Sequence, residues 1–227
     1  MQQEASAQWE KRAFGPFACL GRNGAPARLG ILGGTFDPIH LGHLNRADAA
    51  CIQLGLSGVL LMPAAVPVYK KDQRVTPAHV RLELCRLAAE NDSRFQASAL
   101  EIDRGGDTYT AHTLQVMRDF FPENVELVFI AGSDAAITIP KWRDSETIAR
   151  LAHIAVVARP GWQFPKGMSP ETLDGRFRCT LVQAPQLDVA SSSVRMRCAK
   201  GESFRYTVPE AVYGYIRENH LYEQEAQ

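Results

Sequence analysis

The 227-residue sequence has no excess of charge of either sign, because 25 lysines and arginines balance 25 aspartates and glutamates. A chain without a net basic field is a poor candidate for bulk binding to nucleic acid or to an acidic membrane. It has no apolar run that approaches the ~20 residues of a membrane span. Residues 1–27 contain no signal-peptide core. These absences favour a cytoplasmic protein that binds neither nucleic acid nor membrane.

Cysteine is scarce: the five cysteines are odd in number and scattered, with no Cys-x-x-Cys pair, which predicts reduced thiols. Repeats and low-complexity segments are absent, and 45% hydrophobic and 22% charged residues are ordinary for one globular core. We interpret residues 1–27 as an N-terminal extension, partly disordered and of no inferred function, before a single domain over 28–224. The sequence leaves the oligomeric state open, a homo-oligomer included.

Apolar strand-like runs alternate with helical patterns along the chain. Strands are predicted over 29–32, 59–62, 95–102, 127–131, 154–158 and 179–182, and helices over 43–54, 76–90, 110–121, 145–151, 192–200 and 209–219. This alternation predicts an α/β fold, a Rossmann-like doubly wound parallel sheet with helices on both faces and a small C-terminal helical segment. Ligands of such sheets bind beyond the carboxyl ends of the strands.

The most informative segment covers residues 30–43, where a buried strand stops at two glycines and a helix opens near Leu41. Because Gly33 and Gly34 lack Cβ, backbone N–H groups there can approach a ligand closely. The helix N-terminus would offer further N–H groups, and His40 and His43 share one face of its first turn. This arrangement predicts a phosphate site. A zinc site is the alternative for two histidines, but the pattern supplies no further ligands at metal spacing.

Other segments have both a functional and a simpler structural interpretation. Thr110 and Ser192 are typical helix N-terminal residues, and in both cases the N–H groups can bind an anion or merely cap the helix. Asp134 follows a strand, where an acid can bind ribose or magnesium, or only cap a helix. Trp142 can stack on a ligand ring or pack in the core. Lys70 ends a proline-rich loop that can equally be a solvated surface loop.

The string Gly-Gly-Thr-Phe-Asp-Pro-x-His-x-Gly-His at 33–43 closely resembles the first motif of the H-x-G-H nucleotidyltransferase superfamily. Its Thr-Phe-Asp-Pro version resembles the nicotinate mononucleotide adenylyltransferases. Segments 101–114, 129–142, 189–195 and 208–222 resemble later motifs of that family, in the same order. Tyr69, His112 and Ala190 depart from the family pattern. The resemblance runs from about Arg28 to Tyr222.

The resemblance implies adenylyl transfer from ATP to nicotinate mononucleotide, with Mg²⁺ accompanying ATP and no protein ligand assigned to the metal. It implies catalytic roles for His40, His43 and Arg195. It implies a nicotinate pocket of Tyr109, Thr110, Trp142 and Arg143. The residues expected to bind ATP and its phosphates are Gly33, Gly34, Thr35, Phe36, Lys70, Gly132, Asp134, Ser191 and Ser192.

Two other functions compete with this one. Another transferase of the superfamily, acting on phosphopantetheine or transferring a cytidylyl group, would share the phosphate motifs, but such enzymes usually lack the Tyr-Thr and Lys-Trp segments found here. A nucleotide-binding sensor without turnover would fit the departures at Tyr69, His112 and Ala190. The retained His40, His43 and Arg195 argue against it.

Overall fold

The computed structural model of the chain describes residues 2–66, 75–158, 175–185 and 187–223. Its strands are Ala27–Gly34 (β1), Gly58–Pro63 (β2), Phe95–Ala97 (β3), Val125–Gly132 (β4), Ala152–Val157 (β5) and Arg178–Val182 (β6). They form a six-stranded sheet in the order β3-β2-β1-β4-β5-β6, and every paired neighbour is parallel. The order reverses between β1 and β4, which is where an open parallel sheet forms its ligand crevice.

Helices connect these strands and cover both faces of the sheet. They are Gln2–Phe14 (α1), Leu41–Leu54 (α2), Ala78–Ala89 (α3), Leu100–Arg104 (α4), Thr110–Phe120 (α5), Ser133–Ala136 (α6), Ser145–Leu151 (α7), Ser191–Ala199 (α8) and Glu210–Glu218 (α9). Short 3₁₀ turns lie at Gly15–Cys19, Ile139–Lys141 and Arg205–Thr207. The predicted Rossmann-like fold, with its C-terminal helical segment of α8 and α9, is confirmed.

The two faces of the sheet belong to two separate hydrophobic cores. Along β2, Val59 and Leu61 point into the core beneath α2, α3 and α9, whereas Leu60 and Met62 point into the core beneath α1, α5 and α7. Alternate side chains of a strand face opposite ways, so a strand covered on both sides must be apolar throughout. This is why the run over 59–62 reads as a continuous apolar stretch.

The N-terminal segment packs into the second of these cores. Phe14 is fully buried, and Trp9 stacks edge-on against it with ring centroids 5.5 Å apart. Phe17 occupies the space that the missing side chain of Gly58 leaves, since a Cβ there would lie 2.0 Å from the Phe17 ring. The described part of 1–27 is therefore helical and anchored. It differs from the partly disordered extension that we expected, because its aromatic residues supply one apolar face.

One predicted strand is wrong over half of its length. The segment 95–102 was expected to be a single strand, but β3 ends at Ala97 and α4 begins at Leu100. The hydroxyl of Ser98 accepts a hydrogen bond from the Leu100 N–H at 3.3 Å. A serine side chain that bonds nearby backbone in this way competes with the strand ladder.

Among the described residues, no helix combines the length and apolarity that crossing a membrane requires. The five cysteines all lie in described segments and all are free thiols.

Candidate active site

The turn between β1 and α2 forms the centre of the site, at the switch point of the sheet. Phe36 adopts a left-handed backbone conformation with φ of 50° and is buried, so its ring lies directly against Gly34. A Cβ on Gly34 would stand only 2.9 Å from that ring. The second glycine is thus required by the close approach of Phe36, and the first, Gly33, is exposed at the strand end.

The two histidines of this segment stack against each other. His40 is buried and precedes α2, and the His43 ring lies 3.7 Å from it, centroid to centroid. The His40 backbone N–H donates to Nδ1 of His43 at 3.3 Å. An accepting Nδ1 places the proton of neutral His43 on Nε2, where it can donate to a ligand. Phe36 packs edge-on against His43 at 4.9 Å and fixes its ring.

Both histidines line a cavity of about 300 Å³ between the beginnings of α2 and α8. Two helix N-termini meet here, and each presents backbone N–H groups and the positive end of a dipole. Arg46 and Arg195 add fixed positive charge, while Asp188 is the acidic side chain in the lining. The lining includes the predicted residues His40, His43, Ser191, Ser192 and Arg195. This cavity is chemically suited to a polyphosphate.

The two phosphate motifs are joined directly by hydrogen bonds. The Ser191 hydroxyl donates to the carbonyl of Pro38 at 2.8 Å, and Nη1 of Arg195 donates to the carbonyl of Asp37 at 2.6 Å. Gly42 lies against the His40 ring, where a Cβ would stand only 3.1 Å from Cε1 and Nδ1 of His40. The start of α8 is therefore held against the turn that precedes α2.

Asp37 connects this turn to the end of the chain. Its buried carboxylate accepts a hydrogen bond from the Tyr222 hydroxyl at 2.8 Å and another from the Thr76 N–H at 3.3 Å. Burial, together with the charge of Asp37, raises the pKa of Tyr222 well above its ordinary value. Tyr222 thus remains a neutral hydrogen-bond donor at physiological pH.

Arg81 of α3 is a fully buried charge beside the same turn. Its guanidinium donates to the carbonyls of Thr76 at 2.8 Å, Thr35 at 2.7 Å and Ala65 at 3.1 Å. Burial lowers the pKa of Arg81, and the nearby carboxylate of Asp37 opposes that shift. One side chain therefore holds the phosphate turn and both flanks of the proline-rich loop.

A second cavity, of about 210 Å³ and mainly apolar, lies on the other side of the turn. Predicted residues in its lining are Gly33, Gly34, Thr35, Thr110 and Trp142. Phe129 meets Trp142 edge-on at 6.0 Å, and the indole N–H donates to the hydroxyl of Thr138 at 3.0 Å. The turn over 33–43 contributes to both cavities, so ligands in the two would approach each other beside the histidines.

The second cavity also contains a buried acid, Glu101 of α4. Its Oε1 accepts a hydrogen bond from the Thr113 hydroxyl at 2.7 Å. Burial raises the pKa of Glu101 to about 7, although Thr113 and the charge of Arg104 partly counteract it. The group is thus poised to exchange a proton near neutral pH.

Tyr109 and Arg143 are not in the lining of this cavity. They line a neighbouring groove with His112 and Asp144, where the Arg143 guanidinium lies 4.5 Å from the centre of the Tyr109 ring. Tyr109 is extended and Thr110 begins α5, so the two neighbouring side chains diverge. The structure therefore places the four residues predicted for the nicotinate pocket in two pairs, Thr110 with Trp142 and Tyr109 with Arg143.

The remaining predicted residues are Phe36, Lys70, Gly132 and Asp134, of which Phe36 is buried against Gly34 and is in the lining of neither cavity. Lys70 and the departure at Tyr69 fall outside the described residues. Gly132 ends β4, and Asp134 is exposed in the short helix that follows. Neither Gly132 nor Asp134 is in the lining of the two cavities described above. Within the described segments, no three histidine, cysteine or acidic side chains cluster as a metal site.

Sequence reasoning missed Arg46, Arg81 and Glu101. Arg46 could have been found, because it lies three residues after His43 and thus on the same face of α2. For Glu101, the one indication of a role in the site was its position in the segment 101–114, which resembles a family motif. Arg81 had none, since an arginine within an amphipathic helix is usually solvated.

Comparison with known proteins agrees with this architecture. Residues 31–197 match the cytidylyltransferase-like family model. A protein of Moorella thermoacetica is 40% identical over 200 residues, which cover 87% of this chain and 92% of the relative. A protein of Roseiflexus is 41% identical over 197 residues, covering 86% and 98%. Both carry the name "Probable nicotinate-nucleotide adenylyltransferase".

The fold has solved counterparts. Plasmodium falciparum nicotinic acid mononucleotide adenylyltransferase, complexed with APC, superposes with a TM-score of 0.70 at 20% identity, covering 86% of this chain and 97% of that one. The same enzyme complexed with NaAD gives a TM-score of 0.67 at 19% identity, with the same coverage. At this identity the likeness concerns the fold. The sequence relatives settle the family: the chain belongs to the cytidylyltransferase-like proteins and, among them, to the nicotinate-nucleotide adenylyltransferases.

Proposed function

We propose that this protein transfers the adenylyl group of ATP to nicotinate mononucleotide, giving nicotinate adenine dinucleotide and pyrophosphate in NAD biosynthesis. The observation that carries the proposal is the pair of cavities flanking one phosphate turn. One cavity is cationic and lies between two helix N-termini, and the other is apolar and contains Trp142. A nucleoside triphosphate and a pyridine mononucleotide would have their phosphates meet at the turn.

In this reaction a phosphate oxygen of the mononucleotide attacks the α-phosphorus of ATP in line. A new P–O bond forms as the bond to the β-phosphate oxygen breaks, and pyrophosphate leaves with that electron pair. No protein nucleophile is needed, so catalysis consists of positioning and of stabilising charge on the transferring group.

The proposed roles of the residues follow from their places. His43 donates from Nε2 to the triphosphate, and the buried His40 ring fixes its orientation. Arg195 donates to the triphosphate with the guanidinium nitrogens that remain after one of them has bonded the Asp37 carbonyl. The N–H groups at Ser191 and Ser192 complete the anion site. Lys70, Gly132 and Asp134 stay predicted to bind ATP and its phosphates.

Magnesium is expected to arrive with ATP and to neutralise part of the phosphate charge. Mg²⁺ that accompanies a nucleotide usually binds phosphate oxygens and water, with at most one or two protein carboxylates. The free cysteines support the expectation of a cytoplasmic enzyme.

The pyridine end of the acceptor is proposed to lie against Trp142, with its carboxylate near the N–H groups at the start of α5. Such donors favour an anionic carboxylate over the neutral amide of nicotinamide mononucleotide. We expect kcat/KM to favour the nicotinate substrate by about 10²-fold, since one mismatched polar group costs a few kcal/mol. Trp142→Ala should weaken both substrates and leave much of this ratio unchanged.

The deciding experiment measures pyrophosphate release with ATP and nicotinate mononucleotide, each omitted in turn as a control. Replacing ATP by CTP, and the acceptor by phosphopantetheine or nicotinamide mononucleotide, separates this activity from those of other family members. The proposal predicts rapid release only with the ATP and nicotinate pair. Release with CTP or phosphopantetheine would favour another transferase. Binding of ATP without any release would favour a sensor.

A further inference from the structure

A short helix forms part of the wall of the apolar cavity, and it is held in place by residues that precede the matched family region. This helix, α4, carries Glu101 into the cavity lining and ends at two glycines, Gly105 and Gly106, both in left-handed conformations. The glycines lead to Thr108, which also lines the cavity and accepts a hydrogen bond from the Ala65 N–H at 3.2 Å. A displacement of α4 would therefore move both Glu101 and Thr108.

Residues at the end of α1 form hydrogen bonds with residues just before α4 and with a residue in the last turn of α4. Before the helix, the Ala99 N–H donates to the Arg12 carbonyl at 2.9 Å, and the Ser98 hydroxyl donates to the Ala13 carbonyl at 2.6 Å. In the last turn of α4, the carboxylate of Asp103 accepts two hydrogen bonds from the Arg12 guanidinium, of 2.7 and 2.6 Å. A bidentate pair of this kind fixes orientation as well as distance.

The anchoring segment itself is rigidly held. Its helix is fastened by Phe14 and Phe17, which are buried in the core beneath α5 together with Leu100 of α4. The matched family model begins only at residue 31, so this segment lies outside it. The chain thus uses residues before the matched family region to hold one wall of the apolar cavity.

We propose that the N-terminal segment over 7–19 is a positioning element for the acceptor pocket, with Arg12 as its main positioning residue. Arg12 acts through Asp103 and α4 to place Glu101 against the mononucleotide. The inference rests on the proposed function, because it assigns this pocket to nicotinate mononucleotide. It makes acceptor binding, and not ATP binding, depend on the N-terminal helix.

The test compares Arg12→Ala with the wild type in the pyrophosphate-release assay and in calorimetric binding of nicotinate mononucleotide. Losing a bidentate but partly exposed pair should raise KM and Kd for the mononucleotide about 3- to 10-fold. KM for ATP should stay within about twofold, because no residue of α1 or α4 is among the described residues that line the cationic cavity. Arg12→Lys keeps the charge but loses the two-pronged guanidinium. Its KM and Kd for the mononucleotide should lie between those of the wild type and those of Arg12→Ala.

Three further variants separate positioning from general stability. Asp103→Ala should reproduce the effect of Arg12→Ala. The double variant should show no further rise in KM for the mononucleotide, because the two substitutions remove the same interaction. Arg22→Ala is the matched control. Arg22 pairs with Glu10 and lies over the Phe120 ring in the same N-terminal region, without the Arg12 link to Asp103. It should lower the melting temperature slightly and leave both KM values unchanged.

An equal rise of both KM values, or a rise in Arg22→Ala as large as in Arg12→Ala, would assign the segment a merely structural role and overturn the inference. An unchanged KM for the mononucleotide in folded Arg12→Ala would do the same. A wild type that releases no pyrophosphate from ATP and nicotinate mononucleotide would instead overturn the proposed function, and the inference with it.

Discussion

Replacing Arg81 by methionine tests whether one buried charge holds the phosphate turn in place. The substitution keeps an unbranched side chain of similar length in α3. It removes hydrogen bonds to three carbonyls, those of Thr35, Ala65 and Thr76. It also deprives the buried carboxylate of Asp37 of a nearby positive charge.

The size of the effect follows from the burial of the charge. Three charge-assisted bonds would sum to several kcal/mol, but removing Arg81 also removes the cost of desolvating it. Breaking a buried charge arrangement by deleting one partner costs about 3–5 kcal/mol. At about 2–4 °C per kcal/mol for a chain of this size, the melting temperature of Arg81→Met should fall by roughly 6–20 °C.

The functional effect should be separable from the loss of stability. With the Thr35 carbonyl unanchored, the turn loses its fixed position, and small misplacements of reacting groups cost up to about 10²-fold in rate. We expect kcat/KM for ATP to fall by about 10- to 100-fold, measured by pyrophosphate release well below the melting temperature.

Arg118 provides a matched control. It too donates to three carbonyls, those of Phe121, Pro122 and Val125, but at the end of the sheet away from the phosphate turn. Arg118→Met should lower the free energy of unfolding by about 1–3 kcal/mol with little change in kcat/KM. If folded Arg81→Met keeps the wild-type kcat/KM, or if Arg118→Met loses as much activity, Arg81 has no special role at the site.

Three further predictions concern the two cavities. His43→Ala should lower turnover by about 10²–10³-fold, the usual cost of one transition-state donor, and near-normal turnover in the folded variant would refute its role. Arg195→Lys should raise KM for ATP more than KM for the mononucleotide, because lysine lacks the guanidinium fork, whereas an unchanged KM for ATP would make Arg195 structural. Glu101 is tested by pH, since burial raises its folded pKa to about 7 from an unfolded value of 4.5. The folded state holds this proton more tightly than the unfolded state does. As the pH rises from about 4.5 to 7, the unfolded state loses the proton first, and the free energy of unfolding of the wild type falls. Urea unfolding should show that Glu101→Gln gains stability relative to the wild type over this window, and parallel profiles would contradict the assignment.

The sequence predicted the sheet well because both of its faces are covered. Apolar runs such as 59–62 leave few alternatives to a buried parallel strand. Boundaries were less predictable where side chains compete with the backbone. The helix predicted over 76–90 begins at Ala78, after Pro77, and the Thr76 N–H is bonded instead to the carboxylate of Asp37.

The site was predictable where its residues are close in sequence. His40 and His43 lie within one turn of helix, and their spacing alone places them together. Arg81 and Tyr222 reach the same turn from 46 and 185 residues away, measured from Thr35 and Asp37. Local periodicity contains no information on such contacts, and only the folded chain reveals them.

The many attachments of the turn over 35–38 have a consequence for how the protein is made. During synthesis the β1–α2 segment leaves the ribosome well before Ser191, Arg195 and Tyr222, which bond to it, have been added. An unfinished chain contains both histidines and the glycine pair, but it lacks the later residues whose hydrogen bonds hold the turn over 35–38 in place. A translation product that stops before Tyr222 therefore lacks one of the hydrogen bonds that hold this turn in place.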